Sequence, residues 1–87
     1  MKSIRSKKFR KLHNSLPKEV RDQAKEAYNL FKKDPYHNSL HFKCVNLKDS
    51  VYSVRIGDNY RALGIRDKND VVVWFWIGTH EEYNHLV

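Results

Sequence analysis

The chain has 87 residues, a length that accommodates one domain with a small core and leaves no room for a second. Its 17 Lys and Arg outnumber its ten Asp and Glu, which gives a net charge of +7 and an isoelectric point near 9.7. Such a charge attracts nucleic acid, an acidic protein or an anionic membrane, although a soluble basic protein without such a partner fits equally well.

The single cysteine, Cys44, excludes an intrachain disulfide and fits a reducing compartment. The segment from Met1 to Arg5 is charged and no apolar stretch follows it, so we expect no signal peptide. The longest apolar run, Val71 to Ile77, is far shorter than the ~20 residues that span a bilayer. We therefore expect a cytoplasmic protein that does not bind membranes.

The chain begins with a short segment, Lys2 to Arg5, that fits either an edge strand or a frayed end. A helix is predicted from Ser6, which is a typical N-cap residue. Helical spacing places three apolar residues on one stripe, namely Phe9, Leu12 and Leu16. The other side is basic, with Lys7, Lys8, Arg10 and Lys11. This basic side fits a phosphate-binding surface or simply a solvated helix face.

A second helix is predicted from about Lys18 to Lys33, after a break at Pro17. Its apolar residues recur at helical spacing and share one face: Val20, Ala24, Ala27, Tyr28 and Phe31. Asp34-Pro35 ends it, because the residue before a proline avoids helical geometry. Two amphipathic helices joined so closely should form an antiparallel hairpin that packs on a sheet.

Four strands are predicted in the rest of the chain. The first is Leu40 to Val45, whose alternation places Leu40, Phe42 and Cys44 on one face. The later strands occupy the stretch from Tyr52 to Ile77, and the last of them is apolar on both sides, which indicates a central strand covered on both faces. His80 to Leu86 suffices for a final helical turn or two. The predicted fold is one α+β domain over residues 1–87, with an N-terminal helical hairpin on an antiparallel sheet of about four strands.

Four polar residues interrupt the hydrophobic sheet near one of its ends: Arg55, Arg61, His80 and Tyr83. Two arginines, a histidine and a tyrosine suit a phosphodiester better than a metal or a carbonyl. The other histidines lack ligand-like spacing, so neither a metal site nor a cofactor is expected.

Several motifs occur in a fixed order along the chain. They are Leu16-Pro17 before the long helix, Phe31 to Pro35, Leu40 to Lys43, Tyr52-Ser53-Val54-Arg55-Ile56-Gly57-Asp58-Asn59-Tyr60-Arg61, and Trp76-Ile77-Gly78-Thr79-His80-Glu81-Glu82-Tyr83. In this order they resemble the RelE/ParE superfamily of toxins from bacterial type II toxin–antitoxin systems. The resemblance covers nearly the whole chain. It implies a mixed α+β domain whose active surface lies on the concave side of the sheet, beside the C-terminal end.

Many members of that superfamily are endoribonucleases that cut mRNA in the ribosomal A site. The resemblance implies that Arg61 is the catalytic arginine and Arg55 the preceding basic position. It likewise matches His80 and Tyr83 to the C-terminal basic and aromatic positions. The sequence departs from the pattern where some members carry lysines on the second strand and a glutamate near the first. Asp49 lies in the region of that glutamate, so the general base remains open among His80, Tyr83 and Asp49.

Metal-free RNA cleavage requires a base for the 2′-hydroxyl, a cation for the phosphorane oxygens and an acid for the 5′-oxygen. Arg61 suits the cation role because a guanidinium is always charged and grips two oxygens at once; otherwise it is a surface arginine on a strand. His80 suits proton transfer, with helix capping as the alternative. Tyr83 either stacks on a base or anchors the C-terminus in the core. The remaining RNA-binding candidates are Arg55, Lys43, Lys48 and Tyr60. Trp74 and Trp76 are assigned to the core.

The sequence therefore predicts a metal-independent, ribosome-dependent endoribonuclease toxin that acts on mRNA and forms a complex with a cognate acidic antitoxin. A rival within the superfamily is a ParE-like toxin, which poisons DNA gyrase by protein binding. A rival of another class is a non-catalytic remnant that binds RNA or an antitoxin.

Overall fold

The computed structural model describes all 87 residues, Met1–Val87. The elements in chain order are β1 (Lys2–Arg5), α1 (Lys7–Asn14), α2 (Lys18–Lys33), a 3₁₀ turn (Asn38–Leu40), β2 (Lys43–Asn46), β3 (Val51–Ile56), β4 (Tyr60–Arg66), β5 (Val71–Thr79) and α3 (His80–Leu86). They form one sheet in the order β1-β5-β4-β3-β2. The predicted α+β class with an N-terminal helical hairpin is confirmed, although the sheet has five strands. No helix has the length and apolar character that crossing a membrane requires.

The fifth strand is β1. The sequence allowed either an edge strand or a frayed end for Lys2 to Arg5, and the structure shows an edge strand. It pairs in parallel with β5, from Lys2 opposite Val71 to Arg5 opposite Trp74. The sheet is therefore mixed and not purely antiparallel. Ser3 fixes this pairing, because its Oγ accepts a hydrogen bond from Trp74 Nε1 at 2.6 Å.

The two helices begin where their local signals predict. Phe9 N donates to Ser6 Oγ at 3.1 Å, which confirms Ser6 as the N-cap of α1. The bounds of α2 match the predicted Lys18 to Lys33. Their apolar stripes meet one face of the sheet, which we call the helix face. Phe31 is 2% exposed and contacts the rings of Phe42 and Trp74 edge-on, with centroids 5.0 and 5.3 Å away.

The prediction of a strand that begins at Leu40 is wrong. Leu40 ends the 3₁₀ turn and is 2% exposed, while His41 adopts a left-handed conformation with φ of 47°. His37 Nδ1 accepts a hydrogen bond from Ser39 N at 3.2 Å, so a local turn outcompetes extension here. The strand begins only at Lys43, and Cys44, which pairs with Tyr52, is exposed.

The prediction that the last strand is central is confirmed in that β5 is an interior strand, paired with both β4 and β1. The prediction that it is covered on both faces is wrong. The middle strand is β4, and β5 lies between β4 and β1. In the β4–β5 pairing Leu63 is opposite Trp76 but Gly64 is opposite Trp74, so Phe75 is an extra residue in a β-bulge. The bulge directs Trp74 to the helix face, where it is 3% exposed, and Trp76 to the opposite face, where it is only half-buried.

Candidate functional site

The sheet face opposite α1 and α2, which we call the open face, carries both predicted arginines of the sheet. Arg61 on β4 is paired with Arg55 on β3 and with Gly78 on β5. Residues directly opposite each other in an antiparallel pair project from the same face. Arg55 and Arg61 therefore leave the open face side by side, at the sheet end where α3 begins.

Gly78 keeps the space beside Arg61 free of its own side chain. A Cβ at this position would lie 2.5 Å from the Trp76 indole and 2.9 Å from Glu82 Oε1. Both distances are shorter than van der Waals contact, so only glycine fits here without a shift of the indole. The side chains of Trp76 and Glu82 therefore pack close to Gly78, the residue paired with Arg61.

Arg61 has no carboxylate partner. The three ion pairs of the protein are Lys18–Asp22, Arg55–Asp58 and Arg66–Asp70. The half-buried Arg61 guanidinium donates only to its neighbour's carbonyl, Tyr60 O, at 2.9 Å. Burial lowers the pKa of Arg61, the charge of Arg55 lowers it further, and Tyr83 partly offsets these effects. A guanidinium nevertheless stays charged at neutral pH, so Arg61 is a partly desolvated cation that lacks an anion.

Arg55 is held more firmly than Arg61. Its Nε donates to Gly57 O at 3.0 Å and its Nη2 to Asp58 Oδ1 at 2.6 Å. These bonds turn its guanidinium towards the β3–β4 turn and neutralise part of its charge. Asp58 is largely exposed, so this pair contributes little to stability and can open for a competing anion.

His80 and Tyr83 lie on α3, which a capping box fixes to the end of β5. Thr79 Oγ1 accepts from Glu82 N at 3.1 Å, and Glu82 Oε1 accepts from Thr79 N at 2.9 Å. The two rings stack, with centroids 5.9 Å apart and planes 20° apart. Tyr83 is 7% exposed whereas His80 is exposed. Tyr83 thus anchors α3, and of the two stacked rings only the His80 imidazole is exposed to solvent.

The structure does not bring every other predicted site residue to this place. Tyr60 packs against the core on the helix face, away from the Arg61 guanidinium. Lys43 is exposed on β2 opposite Ser53, two residues along β3 from Arg55. Lys48 and Asp49 lie beyond the other end of β3, in the β2–β3 loop, which places Asp49 more than ~13 Å along the strand from Arg55.

Two site residues escaped the sequence analysis. Trp76 was assigned to the core, but the bulge places it on the open face beside Gly78. No local pattern reveals that bulge. Glu82 had a readable signal, because Thr79-His80-Glu81-Glu82 has the T-x-x-E spacing of a capping box.

An apolar groove of about 390 Å³ continues from Trp76 along the open face. Its apolar lining consists of Val45, Val51, Leu63, Phe75, Trp76, Leu86 and Val87. Leu86 and Val87 remain 57% and 55% exposed, and Ile65, also on this face, is 46% exposed. Such a contiguous apolar surface beside a charged site is typical of a protein interface.

No group of three or more His, Cys, Asp or Glu side chains converges in a way that could hold a metal ion. The helical hairpin, the mixed sheet and the arginine-bearing open face together define a RelE-like toxin domain. The chain belongs to the ParE-like toxin domain family, whose model matches residues 18–85, and with it to the RelE/ParE superfamily. No curated protein matches the sequence.

Solved structures share the fold at low sequence identity. A chain of the RelB–RelE antitoxin–toxin complex from Methanococcus jannaschii matches with a TM-score of 0.73 at 17% identity, over 95% of this chain and 96% of that one. A chain of the RelE–RelB complex from Pyrococcus horikoshii OT3 matches with a TM-score of 0.71 at 18% identity, over 90% of this chain and 92% of that one. The isolated E. coli RelE toxin matches with a TM-score of 0.67 at 19% identity, over 98% of this chain and 93% of that one.

The capping box predicts that α3 loosens in acid. The backbone N–H of Thr79, followed by its hydroxyl, donates to the Glu82 carboxylate and lowers the pKa of Glu82. A depressed pKa means that this contribution is complete above the unfolded-state pKa and is lost as the pH falls through the folded-state pKa. We expect the ¹³Cα shifts of Glu81–Leu86 to move towards coil values as the pH falls below the ordinary range of a glutamate pKa.

The matched control is Glu82→Gln, whose amide oxygen accepts the same hydrogen bonds but does not titrate in this range. Its α3 shifts should stay constant over the same fall in pH. If wild type and Glu82→Gln lose helical shifts in parallel, the capping carboxylate is not the cause.

Proposed function

We propose that this protein is a toxin that cleaves mRNA on the ribosome without a metal ion and is held inactive by an acidic antitoxin. The observation that carries the proposal is the partly buried, unpaired Arg61 guanidinium on the open face. A desolvated cation without a carboxylate is costly to the fold, which favours retention for an anionic ligand. The scissile phosphate of RNA suits that place.

In the proposed reaction a general base takes the proton of the 2′-hydroxyl while its oxygen bonds to phosphorus. The bond from phosphorus to the 5′-oxygen breaks, and that oxygen takes up a proton from a general acid or from water. The products are a 2′,3′-cyclic phosphate and a 5′-hydroxyl. Arg61 stabilises the negative charge that grows on the phosphorane oxygens, which is the role that a metal would otherwise have.

Removal of the proton from the 2′-hydroxyl, the role of the general base, is assigned to His80. The imidazole is exposed at the first turn of α3 and can both accept and donate a proton, whereas the Tyr83 ring stacked on it is buried. Asp49 belongs to the loop at the far end of β3, so it is the weakest of the three candidates for the general base.

The RNA strand is proposed to run along the open face from Arg61 towards Lys43. Arg55 can exchange Asp58 for a neighbouring phosphate, and Lys43 lies two residues further along the sheet. Trp76 offers a half-exposed indole beside Gly78 on which a base can stack. Lys48 contributes only longer-range attraction, and Tyr60 supports the strand that carries Arg61.

The antitoxin is proposed to bind the apolar groove and extend over Arg61. An acidic segment would satisfy the unpaired guanidinium, while its apolar residues would cover Leu86, Val87 and the groove beneath them. Two of the structurally similar chains were solved as toxin–antitoxin complexes, which supports a partner of this kind.

The rival function is poisoning of DNA gyrase, and the family description of the ParE-like toxin domain favours it. A gyrase poison acts by protein binding and needs no proton-transfer group beside its arginine. The presence of His80 at the same sheet end as Arg61 is the observation that favours the nuclease.

Arg61→Ala should lower the rate of mRNA cleavage on ribosomes about 10²–10³-fold, by analogy with the loss of one group that stabilises transition-state charge. His80→Ala should lower it about 10²–10⁴-fold and flatten one limb of the pH–rate profile. The wild-type products should carry 2′,3′-cyclic phosphate ends, and a 2′-deoxy nucleotide at the cut should block cleavage.

The matched control is Lys68→Ala, which removes one positive charge from the exposed β4–β5 turn and should cleave at the wild-type rate. Circular dichroism should show that all three variants are folded, since none opens an apolar cavity. A folded, fully active Arg61→Ala protein would contradict the proposed site.

Induction of the chain alone in a bacterium should halt growth with incorporation of amino acids falling before incorporation of thymidine. This order follows from loss of mRNA, whereas a gyrase poison first damages DNA. Pulse labelling with both precursors measures the order, and an early DNA-damage response with ongoing translation would favour the gyrase poison.

The product of an adjacent small acidic reading frame should co-purify with the protein and raise its melting temperature. A ligand that binds only the folded state at 100 times its dissociation constant adds about 2.7 kcal/mol to the free energy of unfolding. Leu86→Asp should weaken this complex because it places a charge in the groove. If the neighbouring product neither co-purifies nor shifts the melting temperature, the proposed partner is wrong.

A further inference from the structure

Most of the protein's net positive charge comes from one segment of the sequence. Residues 1–16, which include β1 and α1, contain six Lys or Arg and no acidic residue. Residues 17–87 contain 11 Lys or Arg against ten Asp or Glu and are nearly neutral. The match to the ParE-like toxin domain begins only at residue 18, so this basic segment lies outside it.

The basic segment borders a cleft between α1 and α2. The cleft has a volume of about 300 Å³, and a contiguous cavity of about 230 Å³ shares several of its lining residues. Its cationic or potentially cationic side chains are Arg5, Arg10, His13, Lys25 and Lys32, and no acidic residue lines either cavity. None of these side chains takes part in the protein's three ion pairs.

The Tyr28 and Phe9 rings of the cleft are already covered. The Arg5 guanidinium lies 4.7 Å and the Lys32 ammonium 4.8 Å from the centre of the Tyr28 ring. The Phe9 ring stacks with His13, with centroids 6.2 Å apart, and is 7% exposed. The half-buried His13 imidazole is therefore the one ring of the cleft that a base could still meet, while a phosphate finds several cations that have no acidic partner.

The cleft lies on the helix face, because Phe9, Ala24 and Tyr28 of its lining also pack in or against the core there. Arg61 lies on the other side of the sheet. A short single strand bound at Arg61 cannot fill the cleft by local contacts, so the cleft requires a different ligand or a distant part of a large one.

We propose that the α1–α2 cleft binds the phosphate backbone of double-helical RNA, as a site separate from Arg61. Several cations without acidic partners, beside only one partly exposed ring, match a duplex, whose bases are stacked inside and whose phosphates face outward. The site extends the proposed function, since it would hold the protein on structured RNA while the open face acts on a single strand. Its binding does not require RNA cleavage.

The test uses the full chain carrying Arg61→Ala, so that cleavage does not complicate binding. The probes are an RNA duplex of roughly 16 base pairs and one of its single strands. The cleft variant is Arg10→Gln with Lys25→Gln, because the cation–π contacts with Tyr28 are made by Arg5 and Lys32 and stay in place. The control is Lys18→Gln with Lys68→Gln, which removes the same charge from exposed positions outside the cleft.

We expect the cleft variant to bind the duplex roughly 10- to 100-fold more weakly at about 0.1 M salt than its Arg61→Ala parent. The dependence of log K on log salt should become shallower by about two, one for each lost phosphate contact. The control pair should retain most of the affinity, and the single strand should bind no better than the duplex.

Equal losses in the cleft and control variants would overturn the proposal, since they would show only non-specific attraction by net charge. Tight binding of poly-glutamate with no binding of the duplex would also overturn it and assign the cleft to an acidic protein. If the wild-type chain does not cleave RNA but the Arg61→Ala parent still binds the duplex, the proposed nuclease activity is refuted while the proposed binding site in the cleft is supported.

Discussion

The β-bulge at Phe75 is the constraint on which both faces of the sheet depend. It inserts one residue into β5 between the partners of Leu63 and Gly64. Without it Trp74 and Trp76 would project from the same face. With it, Trp74 packs against Phe31 and donates to Ser3, which holds the helical hairpin and the edge strand. Trp76 moves to the open face, and the residues after it bring Gly78 opposite Arg61.

The arginines of the sheet show how local pairing separates structural from functional charge. Arg66 donates two hydrogen bonds to Asp70 and another to Tyr36, and these bonds raise its pKa. Arg55 is paired with a carboxylate that solvent can replace. Arg61 alone of the three is desolvated without a carboxylate, so its charge remains available to a ligand. The strength of each existing partner therefore ranks the arginines by their capacity to bind a phosphate.

The two proposed binding surfaces, the open face and the α1–α2 cleft, differ in the chemistry of their side chains and therefore suit different ligands. The open face combines one unpaired cation with an exposed imidazole, a half-exposed indole and an apolar groove, which suits a single strand or a peptide segment. The α1–α2 cleft has several cations and only one partly exposed ring, that of His13, which suits a phosphate backbone. Because the sheet separates them, an antitoxin segment over the open face would leave the cleft accessible. RNA binding and cleavage would then be separable properties of one small domain.

The sequence by itself determined the elements whose causes are local. Ser6 caps α1, the apolar spacing of α2 defines its face, and Asp34-Pro35 ends it, because these signals act within a few residues. The motif around Arg61 likewise pointed to the superfamily from a few ordered stretches. Only the tertiary structure decided the parallel pairing of β1 and the side to which Trp76 points. These depend on contacts between distant residues, whose free energy exceeds local strand preference, and so they leave no trace in the periodicity of the chain.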